Sequence, residues 1–282
     1  MSLFVFIKAT AITLAILHAP VMNASDAKNV DWKYLVKYDG EDVGYSRIVH
    51  RPTSNGERLA EMSAAIIPSF WGDMNVYSFK FEHYNNDHKI VQAEYAMLYD
   101  NYLLLTRLRP TQGARLKQSI LVYQLDRPKL ALMQSEWSQT FEHILSNELL
   151  TESFSKEIQD LKPTESNVIY INPKDFDITL SSLSIRLHEE ILNRKGRALR
   201  VFDLESEVGS QYYDITIQTQ SVEDEKSFPH QKNMKQDLHK VNVTISNQRE
   251  IEYWYDLSTQ PVSLVKVVDA SPKEHIEILL IK

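Results

Sequence analysis

Residues 32–50, WKYLVKYDGEDVGYSRIVH, place two alternating segments on either side of an Asp-Gly dipeptide. One face of the first segment carries the apolar side chains Trp32, Tyr34, Val36 and Tyr38. The opposite face carries Lys33 and Lys37, so this period of two predicts a half-buried β-strand. Because Asp39-Gly40 suits the positive φ angles of a tight turn, residues 43–50 are the predicted return strand of a hairpin.

The alternation continues beyond this hairpin at spacings that are typical of an antiparallel meander. Short strands are predicted at 59–67, 76–84, 90–99, 102–108, 116–125 and 129–134, and again at 198–204, 212–222, 238–246, 251–257, 262–268 and 276–281. Turn-forming residues separate them, as in Asn85-Asn86-Asp87. The predicted fold class is mainly β with minor α, a curved antiparallel meander sheet or an open or half barrel with one to three covering helices.

Two segments in the middle of the chain depart from the period of two. In the first, apolar residues recur at helical spacing: Trp137, Phe141, Ile144, Leu145, Phe154, Ile158 and Leu161. In the second, the candidate N-cap Asp177 precedes the apolar stripe Leu180, Leu183, Leu187 and Ile191, and Gly196 supplies a stop. We therefore predict a single β-rich domain over 28–282 with a helical insertion at about 137–196. The polar stretch 223–237 is predicted to be a long exposed loop.

Composition sets aside several classes of protein. The 282 residues are 43% hydrophobic and 24% charged, which is the balance of a globular protein. A net charge of -7 and the lack of a basic patch in the sequence argue against a nucleic-acid partner. The chain has no cysteine, so thiol catalysis, thiolate metal sites and the lipid attachment of a bacterial lipoprotein are excluded.

The first residues have the pattern of a secretory signal peptide. Lys8 is the one charged side chain within an otherwise largely apolar run, 3–17, and small residues further on favour cleavage after Ala24 or Ala27. We expect a signal peptide over 1–24, a periplasmic mature protein and no membrane span after cleavage. The alternative is an uncleaved amino-terminal anchor, since the apolar stretch is long enough to span a thin bilayer.

Several short segments spread along the chain resemble one group of exported bacterial proteins that are known as domains of unknown function. They are VDWKY at 30–34, YDGEDVG at 38–44, NPKDFD at 172–177, LRVFD at 199–203 and YWYD at 253–256. The resemblance implies a curved antiparallel sheet or open barrel covered by helix, similar to periplasmic carriers of lipoproteins or lipids. It implies no catalytic residues.

Metal-ligating residue types occur together at His83, Asp87, His88 and Glu94. However, Asn85-Asn86-Asp87 is a predicted turn, and nothing in the spacing brings the four side chains to one face, so we interpret them as solvated hairpin residues. His188-Glu189-Glu190 begins like a zinc-protease motif, but Leu192 stands where the second histidine is needed. No metal site is predicted.

Catalytic and cofactor motifs are equally scarce. Neither the G-x-S-x-G elbow of hydrolases nor a phosphate-binding glycine loop is present, and the chain has seven glycines in all. Carboxylate pairs such as Glu205 with Glu207 or Glu250 with Glu252 share a strand face, where exposed strand charge is the favoured interpretation. We therefore predict no catalytic residues and no cofactor.

Aromatic residues are concentrated in the first part of the predicted sheet. The candidate ligand-binding residues are Trp32, Tyr34, Tyr38, Trp71, Tyr77, Phe79, Phe81 and Arg47. In the functional interpretation these rings line a concave apolar trough, with Arg47, Lys80 or Arg107 at its mouth for a lipid phosphate or carboxylate. In the alternative interpretation they form an ordinary aromatic core.

The function predicted from these patterns is a non-enzymatic periplasmic protein that binds an apolar or lipid-like ligand in a curved β-sheet. Its partner is then a hydrophobic ligand or an envelope protein. One alternative is an envelope structural or assembly factor that acts through exposed strand edges. A second is a hydrolase with a site scattered over loops. The sequence indicates no oligomeric state.

Overall fold

A computed structural model of the chain describes most of the residues after 29. The described residues are 30–67, 73–112, 115–146, 154–180, 183, 187, 197–203, 211–221, 237–245, 249–259, 262–271 and 274–281. The predicted signal peptide, Trp71 and nearly all of the predicted loop 223–237 lie outside them. Within these ranges, no helix combines the length and the apolar character that are needed to cross a bilayer.

Fifteen strands and one long helix account for the described fold. The strands of the first half are β1 Val30–Tyr38, β2 Glu41–Thr53, β3 Gly56–Ile67, β4 Met74–Asn85, β5 Ile90–Tyr99, β6 Tyr102–Pro110, β7 Leu116–Gln124 and β8 Glu165–Ile171. The helix, α1, is Arg127–Ser146. The remaining strands are β9 Ile178–Thr179, β10 Arg197–Asp203, β11 Gln211–Ser221, β12 Leu238–Ile245, β13 Arg249–Asp256, β14 Ser263–Ser271 and β15 Glu274–Ile281.

All fifteen strands belong to one sheet, in the order β8-β7-β6-β5-β4-β3-β2-β1-β15-β14-β13-β12-β11-β10-β9. Every pairing is antiparallel except the two-residue contact of β9 with β10. The first and last strands, β1 and β15, pair in the middle of the sheet and join two meanders into one surface. The predicted mainly β, curved antiparallel meander is confirmed.

Local turn chemistry explains the central hairpin. Asp39 and Gly40 have φ angles of 48° and 86°, both positive as the two-residue turn between β1 and β2 requires. Close packing limits the return strand as well, since a Cβ on Gly44 would lie 2.1 Å from the carbonyl oxygen of Ala64 on β3. Glycine is therefore required at position 44 for the approach of two backbones.

The sheet curls so that one face is turned inward. We call inner the face that carries Tyr34 and Val36, and outer the opposite face. Inner side chains of both meanders pack into one apolar cluster that extends from Tyr34 through Leu104 to Val243. The edge strands also meet in it, because Ile171 of β8 and Ile178 of β9 are members. Seven residues along the chain separate these two by at most roughly 24 Å, so the two edges of the sheet are brought near each other.

Helix α1 covers the outer face of the first meander. Its start is capped by Asp126, whose carboxylate accepts a hydrogen bond of 2.9 Å from the amide of Lys129. Its buried residues, Met133, Trp137, Phe141 and Ile144, recur every three or four positions. They pack against outer side chains such as Phe79, Phe81 and Leu105 in a second apolar cluster.

The strand predicted at 129–134 is wrong, because these residues lie in the first two turns of α1. Leu130 and Leu132 alternate over a window too short to distinguish two periods, whereas the helical period continues to Ile144. The predicted insertion at about 137–196 is therefore helical from ten residues earlier, and strands β8 and β9 lie within its range.

The second predicted helix lies largely outside the described residues. Leu183 and Leu187 are helical and, like Leu180, buried against the inner face. Asp177, the predicted N-cap, has another role: its carboxylate accepts a hydrogen bond of 2.8 Å from the amide of Arg200 on β10. That contact holds the start of β9 against the neighbouring strand.

Candidate functional site

Part of the inner face of the sheet is tightly packed. Leu104 and Leu108 in the first meander and Val241 and Val243 in the second have no exposed surface. If a void as large as a water molecule lay beside one of these side chains, that side chain would have accessible surface. These side chains therefore meet protein atoms on every side, and this part of the inner face offers no room for a ligand.

A belt of polar side chains crosses this inner face on β3 and β4. Lys80 Nζ lies 3.5 Å from Glu61 Oε2, and both residues are buried. Tyr84 donates its hydroxyl proton to Glu82, whose Oε2 also accepts a hydrogen bond of 3.4 Å from Thr179. Since Thr179 belongs to the edge strand β9, this network connects one end of the sheet to the wall opposite.

The structure separates the predicted aromatic residues onto two faces. Tyr34 is buried on the inner face, and Trp32 and Tyr38 pack partly buried against the same cluster. Tyr77, Phe79 and Phe81 lie on the outer face beneath α1. The ring centroid of Phe79 is 4.8 Å from that of Trp137. Trp71 lies outside the described residues. The eight predicted residues therefore do not line one common trough.

The three cations proposed for the mouth of a trough are all engaged in ion pairs. Arg47 on the outer face donates to Asp31 at 2.8 Å and to Glu142 of α1, and its hydrogen bond lowers the pKa of the Asp31 carboxyl. Lys80 faces Glu61 on the inner side. Arg107 is buried on the outer face, with its Nε 3.1 Å from Glu94. They hold strands and helix together at three separate places.

A cleft of about 500 Å³ opens on the outer face where α1 ends. Its volume falls in the range of small-molecule sites. The walls come from the β2–β3 hairpin, from β4 and from the last turn of α1. The lining residues are Val49, Arg51, Pro52, Thr53, Ser54, Asn55, Arg58, Leu59, Ala60, Phe81, Glu82, His83, Ile144, Leu145 and Ser146.

The floor of this cleft is apolar and its rim is basic. Val49, Ala60 and Phe81 belong to the apolar cluster between sheet and helix. Arg51 is held at the rim because its Nη1 donates a hydrogen bond of 3.2 Å to the carbonyl of Leu145 in the last turn of α1. Arg58 adds a second guanidinium from β3. A positive rim above an apolar floor complements an anion with an apolar body.

Among the described residues that line the cleft, the hydroxyl oxygen of Thr53 and Nε2 of His83 have no hydrogen-bond partner, and each has almost no accessible surface. Burial and the nearby charge of Arg58 lower the pKa of His83, which favours the neutral imidazole. Because neither atom has accessible surface, neither is in direct contact with the space of the cleft.

The four residues that could have formed a metal site are dispersed. His88 pairs with Glu57 at 2.7 Å, and Glu94 accepts from Arg107 and Arg109. Asp87 lies in a turn in which its amide donates to the side chain of Asn85. Over the described ranges, no group of three or more histidine and acidic residues has metal-binding geometry.

Of the seven predicted residues that the structure describes, Phe81 is the one that lines the cleft. Arg51, Arg58 and His83 were not predicted as ligand-binding residues. One signal in the sequence could have located two of them, since Arg51 and Arg58 flank the 52–56 turn and must come together in a hairpin. No comparable local signal in the sequence predicts that the last turn of α1 forms a wall of the cleft.

Comparison with known proteins supports the fold. A crystal structure described as a beta-barrel-like protein of domain of unknown function DUF1849 from Brucella abortus is similar, with a TM-score of 0.54 over 90% of this chain and 96% of that chain. The two sequences are 9% identical, so the likeness concerns the fold alone. No family model matches the chain, and neither does any curated protein sequence.

Proposed function

We propose that this protein is a non-enzymatic binding protein for an anionic amphiphile, such as a fatty acid or a lipid with a phosphate head group. The ligand lies in the cleft at the end of α1. The observation that carries the proposal is the combination of an apolar floor and two arginines in one cleft. This proposal keeps the ligand class predicted from the sequence and moves its site from the inner to the outer face.

The apolar body of the ligand contacts the floor. Phe81 and Ala60 on the sheet and Ile144 on α1 all line the cleft, so an alkyl chain bound there contacts both layers. Each methylene group that is removed from water there contributes about 0.8 kcal/mol. A volume of about 500 Å³ takes a chain of moderate length together with its head group.

The head group is recognised at the rim. Guanidinium groups bind carboxylates and phosphates by charge-assisted hydrogen bonds, and Arg51 and Arg58 stand on the two strands of one hairpin. Among the described residues that line the cleft, Glu82 is the one acidic residue, and its carboxylate is engaged by Tyr84 and Thr179.

Export to the periplasm is part of this proposal and is supported by the amino-terminal pattern at 1–24. A carrier needs only walls and a few polar contacts, which agrees with a sequence that lacks catalytic motifs.

Titration of the purified protein with a fluorescent fatty acid and with the matching fatty alcohol tests the proposal. In Arg58→Ala, we expect the fatty acid to bind roughly tenfold to a hundredfold more weakly, since a hydrogen bond to a charged group is worth about 1.5–3 kcal/mol. Binding of the alcohol should change little. Arg115→Ala removes an exposed arginine beyond the cleft, in the β6–β7 connection, and is the matched control.

A second variant tests the location of the site. Thr53→Trp places a large ring in the cleft and should weaken both probes. Saturable binding that is unchanged in Thr53→Trp would place the ligand elsewhere. No saturable binding to the wild-type protein would overturn the proposal.

A further inference from the structure

The two ends of the first meander carry opposite charge. Because consecutive antiparallel strands reverse direction, the connections β2–β3, β4–β5 and β6–β7 lie at one end, and β1–β2, β3–β4 and β5–β6 lie at the other. We call the first of these the basic end. Within three residues of its connections, arginine and lysine outnumber acidic residues: Arg51, Arg58, Lys89, Arg109, Arg115 and Lys117 against Glu57 and Asp87.

At the opposite end the balance of charge is reversed. Within the same distance of its connections, acidic residues outnumber lysine: Asp39, Glu41, Asp42, Asp73 and Asp100 against Lys37. Charge separated in this way gives the first meander a dipole along its strands. No basic run in the sequence announces it, because the cations of the basic end are spread over 51–117 and are brought together by the hairpins.

Acidic side chains at or near the basic end are already shared between cations. Glu94 accepts hydrogen bonds from both Arg107 and Arg109, so one carboxylate faces two guanidinium groups. Glu57 is paired with two histidines. Three of the cations are exposed to solvent: Lys89, Arg115 and Lys117. The surface of this end is therefore positive, although the whole chain has a net charge of -7.

Exposed apolar side chains continue the basic end onto β8. On the outer face, Lys117 lies between Arg109 of β6 and Tyr170 of β8 in the strand register. Tyr170 is 62% exposed, and Val168 on the same face is 49% exposed. Tyrosine is enriched where membranes meet water, because its ring is apolar and its hydroxyl is polar. Cations beside an exposed aromatic ring are thus suited to a lipid surface.

We propose that the basic end docks on the surface of a bilayer that contains anionic phospholipids. The lipid phosphates attract the cations, and Tyr170 enters the head-group region. A bilayer touches one end of the molecule, so the dipole orients the acidic end away from the lipids. A nucleic acid offers similar phosphates but no apolar layer for Val168 and Tyr170, and the bilayer is favoured for this reason.

Docking brings the cleft close to the lipids. Arg51 and Arg58 belong both to the rim of the cleft and to the basic end. A ligand that enters or leaves the cleft therefore passes beside the head groups. The docking itself goes beyond the proposed function, because it does not require that the cleft hold a ligand.

Co-sedimentation of the full chain with lipid vesicles tests the docking. We expect the protein to bind vesicles of phosphatidylglycerol and phosphatidylcholine in equal parts at least about tenfold more tightly than vesicles of phosphatidylcholine alone. The apolar run 3–17 is present with both kinds of vesicle, so this ratio isolates the effect of lipid charge. The ratio should fall as salt is raised from about 0.05 M to about 0.5 M. Equal binding to both kinds of vesicle would overturn the proposal.

A triple variant tests the location of the docking surface. Lys89→Gln, Arg115→Gln, Lys117→Gln removes three exposed cations that do not line the cleft. Each substitution should weaken binding to the anionic vesicles about fivefold, and the three together about a hundredfold, while circular dichroism stays unchanged.

The matched control removes the same charge elsewhere. Arg127→Gln, Lys156→Gln, Lys162→Gln changes exposed residues in the first turn of α1 and in the segment 154–162 beside it. This variant should bind the anionic vesicles like the wild type. Equal weakening in the two triple variants, or no weakening in the first, would overturn the assignment to the basic end.

The apolar part of the surface separates a bilayer from other polyanions. Tyr170→Ser should weaken vesicle binding about tenfold at every salt concentration, because salt does not screen an apolar contact. Leu132→Ser, at a residue of α1 that is 47% exposed, is its control. Unchanged binding in Tyr170→Ser, or equally tight binding to duplex DNA, would contradict a bilayer as the partner.

Docking and ligand binding can fail separately. Thr53→Trp blocks the cleft and should leave vesicle binding unchanged. The triple variant at Lys89, Arg115 and Lys117 should leave the binding of the fluorescent fatty acid in solution unchanged. Loss of vesicle binding in Thr53→Trp would contradict docking through the basic end.

Discussion

Strands β2–β7 and strands β11–β15 are both antiparallel meanders, but they are buried differently. In β5 every side chain from Ala93 to Tyr99 is buried. In β12 buried and half-buried side chains alternate from Val241 to Ile245. The difference comes from α1. Among the described residues, this helix covers the outer face of the first meander and not that of the second. A second layer converts an alternating strand into a continuously buried one, and the gap between the two layers is where the cleft forms.

Charged residues show the same contrast. Glu94 of β5 has no exposed surface and accepts hydrogen bonds from Arg107 and Arg109. Glu252 of β13 is 33% exposed in its side chain and pairs with Lys240 on the uncovered outer face. A charge that is buried between layers depends on its partners, whereas a charge in contact with water has an alternative partner in the solvent.

The largest difference between the two regions should appear on truncation of their outer tryptophans. Trp137→Ala should lower the free energy of unfolding by about 3–5 kcal/mol, because the indole packs against Phe79 and Phe154 between sheet and helix. Trp254→Ala should cost about half as much, since Trp254 belongs to a small cluster with Leu238 and Val265. Urea denaturation measures both values. Equal losses of unfolding free energy in the two variants would show that packing beneath α1 does not make Trp137 more important for stability than Trp254.

Removal of one cation from each region should give the next largest difference. Arg107→Met leaves Glu94 buried with Arg109 as its remaining arginine partner, and we expect a loss of about 3 kcal/mol in the free energy of unfolding. Lys240→Met leaves a partly exposed Glu252 and should cost at most about 1 kcal/mol. The same denaturation experiment compares them. A small loss in Arg107→Met would indicate that water reaches Glu94.

The smallest effect should be a dependence on pH that arises in the covered region. Because the pKa of folded His83 lies below its ordinary value of 6.5, the unfolded chain takes up its proton first as the pH falls. Stability contributed by the neutral imidazole is therefore present above pH 6.5 and is lost as the pH falls toward the folded pKa. His83→Gln should make the stability profile shallower as the pH falls below about 7.5. If stability depends on pH equally in His83→Gln and in the wild type, His83 is not the source of this dependence.

Prediction from the sequence succeeded where the information is local. The hairpin at Asp39-Gly40 and the following strands were found, because turn residues and a period of two are properties of short segments. It was wrong at 129–134, where two leucines at a spacing of two resembled a strand within a longer helical pattern. Strand β8 was missed because it lies in the segment predicted to be helical.

The assignment of aromatic residues to faces could not be obtained in the same way. Tyr34 and Phe79 both belong to alternating strands, but their faces are related only through the pairs Tyr34↔Ser46, Ser46↔Ser63 and Ser63↔Ser78. That register sets Phe79 on the face opposite to Tyr34. Since both faces of β4 are buried, its composition gives no sign of which is inner.

Local chemistry in the chain was therefore sufficient for the turns, for the strand pattern, for the β-rich class and for the exclusion of thiol chemistry. The curl of the sheet, the helix over its first half, the cleft with Arg58 and His83, and the position of β8 at the edge of the sheet were decided by tertiary structure. These features depend on contacts between residues far apart in the chain, such as Arg51 with Leu145, whose positions are set by strand register and layer packing. A pattern of two residues per period specifies which side chains share a face, but only the folded sheet specifies what that face meets.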